Sequence, residues 1–210
     1  LPNTPLLTVE RLLFERDDCN VFEQIDLEVG RGEIVQIEGP NGSGKTTLMR
    51  LLTTALQPTS GNIRYAGQAI DLCRYEYLSD ILYVGHQPGV KMTLTAEENL
   101  RWMAADCSNS AQDALAAVGL AGYADIPCYN LSAGQHRRVA LARLLMTNAK
   151  LWYLDEPFTA IDKQGVSFLE SCMRDHIRRG GAVVLSTHQD LTIDGVRKYS
   201  IVPHADQGGF

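Results

Sequence analysis

Apolar residues fall into short runs along the chain, set off by turn-forming residues, and the spacing within each run predicts its element. Residues 7–14, 21–29 and 34–38 are period-2 or short β-rich runs bounded by turn residues, so they predict strands. After Gly44 the spacing becomes helical, with Leu48, Leu51, Leu52 and Ala55 on one face. That predicts a helix opened by a glycine turn and closed at Gln57-Pro58. Residues 81–85, 151–154 and 182–186 are unbroken apolar runs, the pattern of strands buried on both faces of a parallel sheet. Between the first two of these, residues of about 90–145 read as helical. Thr95 with Glu98 three residues on forms a capping box for a helix through about Asp106; residues 111–118 predict a second helix and 135–147 a third. The order strand, helix, helical insertion, strand, helix, strand predicts an α/β fold with a parallel sheet and an N-terminal β lobe.

Composition narrows this picture. With 210 residues, 45% hydrophobic and 21% charged, the chain suits one globular unit with a real core. Its longest apolar stretch, residues 114–124, contains two glycines and falls well short of the roughly 18 residues that cross a bilayer, so no membrane span is expected. The start, LPNTPLL, has no charged segment followed by an apolar one, and a cytoplasmic location without a secretory signal is expected. Cys19, Cys73, Cys107, Cys128 and Cys172 are scattered, with no C-x-x-C and no zinc spacing, so reduced thiols are expected. Nineteen Lys and Arg against 25 Asp and Glu leave a net charge of −6, which argues against a broad nucleic-acid footprint but not against a local phosphate site.

Two motifs carry chemistry on their own residues. GPNGSGKT, residues 39–46, fits G-x-x-x-x-G-K-[ST] between a predicted strand and a predicted helix. Gly39, Pro40, Asn41, Gly42, Ser43, Gly44, Lys45, Thr46 and Thr47 would curve successive backbone N–H groups around the phosphates of ATP at a helix N-terminus. Lys45 would reach the β- and γ-phosphates and the Thr46 hydroxyl would ligate Mg²⁺. LWYLDE, residues 151–156, then puts Asp155 at the end of a buried strand, where a carboxylate holds Mg²⁺ directly or through water. Glu156 is a second carboxylate able to polarise the attacking water, and Pro157 stops the strand.

A third segment, LSAGQ at 131–135 followed by HRRVALARLL, reads by itself as a Ser N-cap, a flexible glycine and the start of an amphipathic helix. It also resembles the signature motif of ATP-binding-cassette (ABC) ATPases, normally LSGGQ. Other elements of that family occur in its order: Gln87 in GHQPG resembles the Q-loop glutamine, TAID at 159–162 the D-loop, and His188 in STHQD the switch histidine. The resemblance covers residues 7 to about 190. It implies a P-loop NTPase with a parallel core sheet, an N-terminal antiparallel β subdomain and an inserted α-helical subdomain at about 90–145, all within a single ABC domain over 1–210. It further implies a homodimer with ATP and Mg²⁺ sandwiched between the P-loop of one copy and Ser132, Gly134 and Gln135 of the other. Thr46, Gln87 and Asp155 would hold Mg²⁺, with Lys45, Glu156 and His188 as the catalytic groups. Two positions depart from the family. Arg16, 23 residues ahead of Gly39, stands where an aromatic usually stacks on adenine, leaving guanidinium stacking, Phe14 or Phe22 for that contact, and Ala133 replaces the first signature glycine.

The combination GHQPGVKMTLTAEENL, ADIPCYNLSAGQHRRVALARLL and LWYLDEPFTAID resembles, within the ABC proteins, the CcmA family of the bacterial cytochrome c maturation system. This implies an ATPase on the cytoplasmic side of the inner membrane, attached through a membrane subunit, CcmB, and working with CcmC and the heme chaperone CcmE. His86, His136, His176 and His204 are scattered and C-x-x-C-H is absent, so heme ligation by this chain itself is not expected. The alternatives are the ATP-binding subunit of another ABC transporter and a soluble ABC ATPase acting on nucleic acid or ribosomes.

Overall fold

Alternation and solid runs sort the strands into two sheets. The structure is a computed structural model that describes residues 4–17, 19–103 and 109–202. In β1 (Leu7–Leu13) and β4 (Ile25–Val29) buried and accessible positions alternate, and the two pair antiparallel with Leu7 opposite Val29. β6 (Ser60–Tyr65) lies on the other side of β1, and β7 (Gln68–Ala69) hairpins onto it, completing an antiparallel sheet in the order β4-β1-β6-β7. The strand predicted over 21–29 is shorter than its pattern. A two-residue ladder, β2 (Glu15–Arg16) with β3 (Cys19–Asn20), precedes it, and Phe22 turns fully into the core while Glu23 and Gln24 stay exposed.

The second sheet is parallel throughout, in the order β11 (Arg197–Ser200), β5 (Ile34–Glu38), β10 (Ala182–Ser186), β9 (Leu151–Asp155), β8 (Ile81–Val84). Every residue of β9 and β10 is buried, and their side chains divide by period 2. Leu151, Tyr153, Ala182 and Val184 join a core shared with helix α1 (Lys45–Leu52) and the antiparallel sheet. Trp152, Leu154, Val183 and Leu185 face a second core with α5 (Ala133–Ala142) and α6 (Lys163–Arg178). That two-sided burial explains why these strands read as unbroken apolar runs. A third core joins α3 (Ala96–Met103), α4 (Ala111–Ala117) and the Val139 and Ala142 side of α5.

Helix α1 stops five residues before the predicted Gln57: Thr54 takes a left-handed conformation (φ 59°), the Ala55 and Leu56 N–H groups turn back onto the Arg50 carbonyl, and Ala55 is exposed. Thr95 and Glu98 form the predicted capping box, Glu98 N–H on Thr95 Oγ1 at 3.1 Å and Thr95 N–H on Glu98 Oε2 at 2.8 Å. The predicted run of that helix to Asp106 extends beyond Met103 into residues outside those described, as do Cys107 and His204. The third predicted helix ends as α5 at Ala142 and continues as a 3₁₀ turn over Arg143–Leu145. α2 (Arg74–Ser79) precedes β8. Among the described residues no helix is long and apolar enough to cross a membrane.

Candidate nucleotide site

Parallel strands deliver all their C-terminal ends to one edge of the sheet, and the chemistry-bearing loops collect there. Ile37, Ser186 and Asp155 stand in one cross-sheet row on β5, β10 and β9, and Val84 of β8 pairs one level back with Leu154. Strand spacing alone therefore puts Ile37, two residues before the 39–47 loop, about 10 Å from Asp155.

The loop is shaped by what it packs on. Gly44 has φ +93°, and a Cβ there would lie 2.6 Å from the ring of Phe22, so the buried Phe22 and the glycine require one another. Lys45 opens α1, and its ammonium donates to the carbonyls of Gly39 at 2.8 Å and Pro40 at 3.0 Å, bridging back across the loop. Ser43 Oγ is buried without a partner among the described residues.

Asp155 is 1% exposed. Its Oδ1 accepts from Ser186 Oγ at 2.7 Å, while Oδ2 is buried with no donor among the described residues. A carboxylate oxygen left bare in a buried place is costly unless a cation completes it, so this donor set fits Mg²⁺. Burial pushes the Tyr83 phenol up, and its neighbour Asp155 adds to the rise while Arg50 opposes it. Glu156 holds a left-handed conformation (φ 48°), which costs an L-residue about 1–2 kcal/mol. Its N–H donates to Ser186 O at 3.0 Å, its carbonyl accepts from Arg137 Nη2 at 2.6 Å, and Oε1 lies 3.6 Å from His188 Nε2. His188 is exposed beyond β10.

Ser132 caps α5 by accepting from Gln135 N–H at 3.3 Å, and Gln135 Oε1 accepts from Ser132 N–H at 2.8 Å. A Cβ on Gly134 would stand 3.3 Å from Ala160 O, so the helix start lies against the 159–162 loop. Asp162 caps α6 through Gly165 N–H at 2.9 Å and meets Arg138 at 2.7 Å; the Gly165 N–H, then Arg138, hold its carboxyl below the usual range.

The sheet edge thus gathers residues 39–47, Asp155, Glu156 and His188. Gln87 is exposed after β8 and makes no hydrogen bond among the described residues, and none joins Ser132, Gly134 or Gln135 to 39–47. Of the three positions open for an adenine contact, Phe22 is removed because it is fully buried beneath Gly44; Phe14 is partly buried against the core and Arg16 is exposed. Two residues were missed. Ser186 ends the predicted strand at 182–186, but its partner Asp155 follows only from strand register. Arg137 is a charge on the face of α5 shared by Ala140 and Leu141, a signal present in the sequence.

The fold and this edge define a nucleotide-binding subunit of the ABC type. Residues 22–159 match the ABC transporter family, and a putative ABC transporter ATP-binding protein from Pyrococcus furiosus superposes with TM-score 0.79 at 28% identity, covering 93% of this chain and 96% of that one. The cytochrome c biogenesis ATP-binding export protein CcmA of Colwellia psychrerythraea is 50% identical over 90% of this chain and 88% of its own; the CcmA of Pseudomonas putida is 52% identical over 86% and 88%. The chain belongs to the CcmA family of ABC ATP-binding proteins.

Proposed function

We propose that this chain is the ATP-hydrolysing subunit of an ABC-type membrane complex for c-type cytochrome biogenesis. The buried Oδ2 of Asp155, without a donor among the described residues and at the sheet edge that also holds the P-loop, Glu156 and His188, carries the ATPase reading. Its kinship with CcmA proteins carries the pathway.

The backbone N–H groups of the 39–47 loop, apart from Pro40, which has none, and the N-terminus of α1 hold the phosphates. Lys45 exchanges the Gly39 and Pro40 carbonyls for β- and γ-phosphate oxygens. Thr46, Gln87 and Asp155 would hold Mg²⁺, which would supply positive charge against the phosphates. Glu156 orients and polarises the water that attacks the γ-phosphorus as the bond to the ADP oxygen breaks, and His188 steadies the γ-phosphate. Ser132, Gly134 and Gln135 of a second copy close the site, making the working unit a homodimer. The lobe of about 90–145 moves with closure and conveys it to a membrane subunit of the CcmB kind. With CcmC, hydrolysis by this chain on the cytoplasmic side of the inner membrane then drives release of heme-loaded CcmE from the membrane complex.

Glu156→Gln is expected to trap an ATP-bound dimer on size exclusion, and Lys45→Ala to abolish phosphate release. Wild-type turnover in either variant refutes the site assignments. In cells, Glu156→Gln is expected to leave c-type cytochromes without heme while the chaperone stays loaded; normal cytochromes refute the pathway and leave the ATPase standing.

A further inference from the structure

We propose that Arg137 is a positioning residue that ties the peptide of Glu156 to helix α5, so that displacement of α5 sets where the Glu156 carboxylate stands. The proposal rests on the reading of Glu156 as the group that activates water.

Arg137 is 2% exposed and faces the apolar side of α5. Its guanidinium meets no carboxylate among the described residues. Nη1 donates to Gly85 O at 2.7 Å and approaches His86 O at 3.5 Å; Nη2 donates to Glu156 O at 2.6 Å and approaches Asp155 O at 3.4 Å; Nε reaches Pro157 O at 3.3 Å. All five acceptors are main-chain carbonyls where the chain leaves β8 and β9. A planar fork holds two separate loops at once in a fixed geometry, which a point-charge ammonium on a flexible stem does not pre-organise. Burial pulls the guanidinium pKa down, while the charges of Asp155 and Glu156 push it back up.

An apolar residue would fill this face of α5 at no desolvation cost, so volume alone does not account for a buried cation. What the fork holds is specific. Glu156 is left-handed, and a strained residue persists only where its surroundings fix it. Its N–H is held by Ser186 and its carbonyl by Arg137. Without the second anchor the peptide relaxes, the Cα–Cβ direction turns, and the carboxylate leaves its place beside His188. Arg137 lies five residues beyond Ser132 on the same helix. A helix moves as a rigid rod, so a force on residues 132–135 arrives at the Glu156 carbonyl through one side chain.

The test uses the full chain with Arg137→Gln, Arg137→Lys, Glu156→Gln and the double variant Arg137→Gln/Glu156→Gln. Steady-state kcat and KM for ATP, single-turnover hydrolysis of γ-labelled ATP and thermal melting are measured. Arg137→Gln is expected to lower kcat about tenfold or more with KM changed less than about threefold, because misplacing one group costs rate before binding. Arg137→Lys is expected to recover part of the loss. In the Glu156→Gln background, Arg137→Gln is expected to cost nothing further, since a residue acting through Glu156 has nothing left to position. Equal fold-losses in both backgrounds, a rise in KM at unchanged kcat, or wild-type kcat in Arg137→Gln each overturn the proposal. If Arg137→Gln does not fold, the same comparison is made with Arg137→Lys in both backgrounds. Wild-type turnover in Glu156→Gln overturns the catalytic reading itself; an inactive Glu156→Gln with equal fold-losses overturns only the role of Arg137.

Discussion

Ser186 shows how much rests on one hydroxyl. Its Oγ donates to Asp155 Oδ1 and stands 3.1 Å from the Glu156 N–H, so it supports both carboxylate residues at the sheet edge. Ser186→Ala leaves both Asp155 oxygens without a donor from the described residues, and stranding a buried polar group costs about 1–3 kcal/mol. The variant is expected to melt at lower temperature and to lose kcat while folding to the same helix and strand content, checked by calorimetry, ATPase rate and circular dichroism. Legibility at this scale was uneven for a physical reason. Gly39 to Thr47 is a contiguous loop, so its residues can be read from spacing alone. Asp155 and Ser186 are 31 positions apart and meet only because β9 and β10 pair in one register. Arg137 was readable as a charge on an apolar helix face, but its acceptors are main-chain carbonyls, which leave no mark in a sequence.

Helix α6 docks on β9 through a stack of His176 on Trp152, ring centroids 3.8 Å apart and nearly coplanar at 9°. Gly181 makes room, since a Cβ there would collide with the imidazole. Burial lowers the His176 pKa from 6.5 to about 4, against weaker opposing contributions from the backbone of Ala182 and Lys150. Between those values the unfolded chain binds a proton that the folded chain does not. Stability from this contact is therefore full above about 6.5 and falls as the pH drops toward 4. His176→Phe keeps a ring in the stack and removes the proton site, so its melting temperature is expected to fall less between pH 7 and pH 4.5 than that of the parent. An equal fall in both excludes His176 as a source. Elements were legible where burial is two-sided or strictly alternate, as in β9, β10 and β4. They were obscure where polar residues line an exposed edge: β6, SGNIRY, buries only Tyr65, so no period marks it as a strand.

Across the molecule, one group of exposed apolar side chains lies on the helical lobe, apart from another around Leu72 and Tyr75. Met92, Trp102 and Tyr129 are 46%, 60% and 62% exposed, the Tyr129 N–H donates to Met92 O, and Lys91 sits over the Trp102 ring at 3.7 Å. They lie between Gln87 and Leu131, in the helical lobe that the proposed function couples to a membrane subunit. Changing all three to serine is expected to leave ATP hydrolysis by the isolated chain unchanged and to release the chain from membranes in fractionated cells. Retention on the membrane would place the attachment elsewhere. The order of the parallel sheet has one more consequence. β8 and β9 are neighbours, with Ile81 opposite Leu151, so the chain leaves one strand and returns to the strand beside it after the whole helical excursion. Because the pair is parallel, the ends of that excursion are fixed one strand width apart across the sheet and one strand length apart along it, whatever its length. A graft of the corresponding segment from a relative therefore need redirect no other strand, provided that it keeps Gln87, residues 132–135 and Arg137, and the lobe can then be exchanged as a cartridge between β8 and β9.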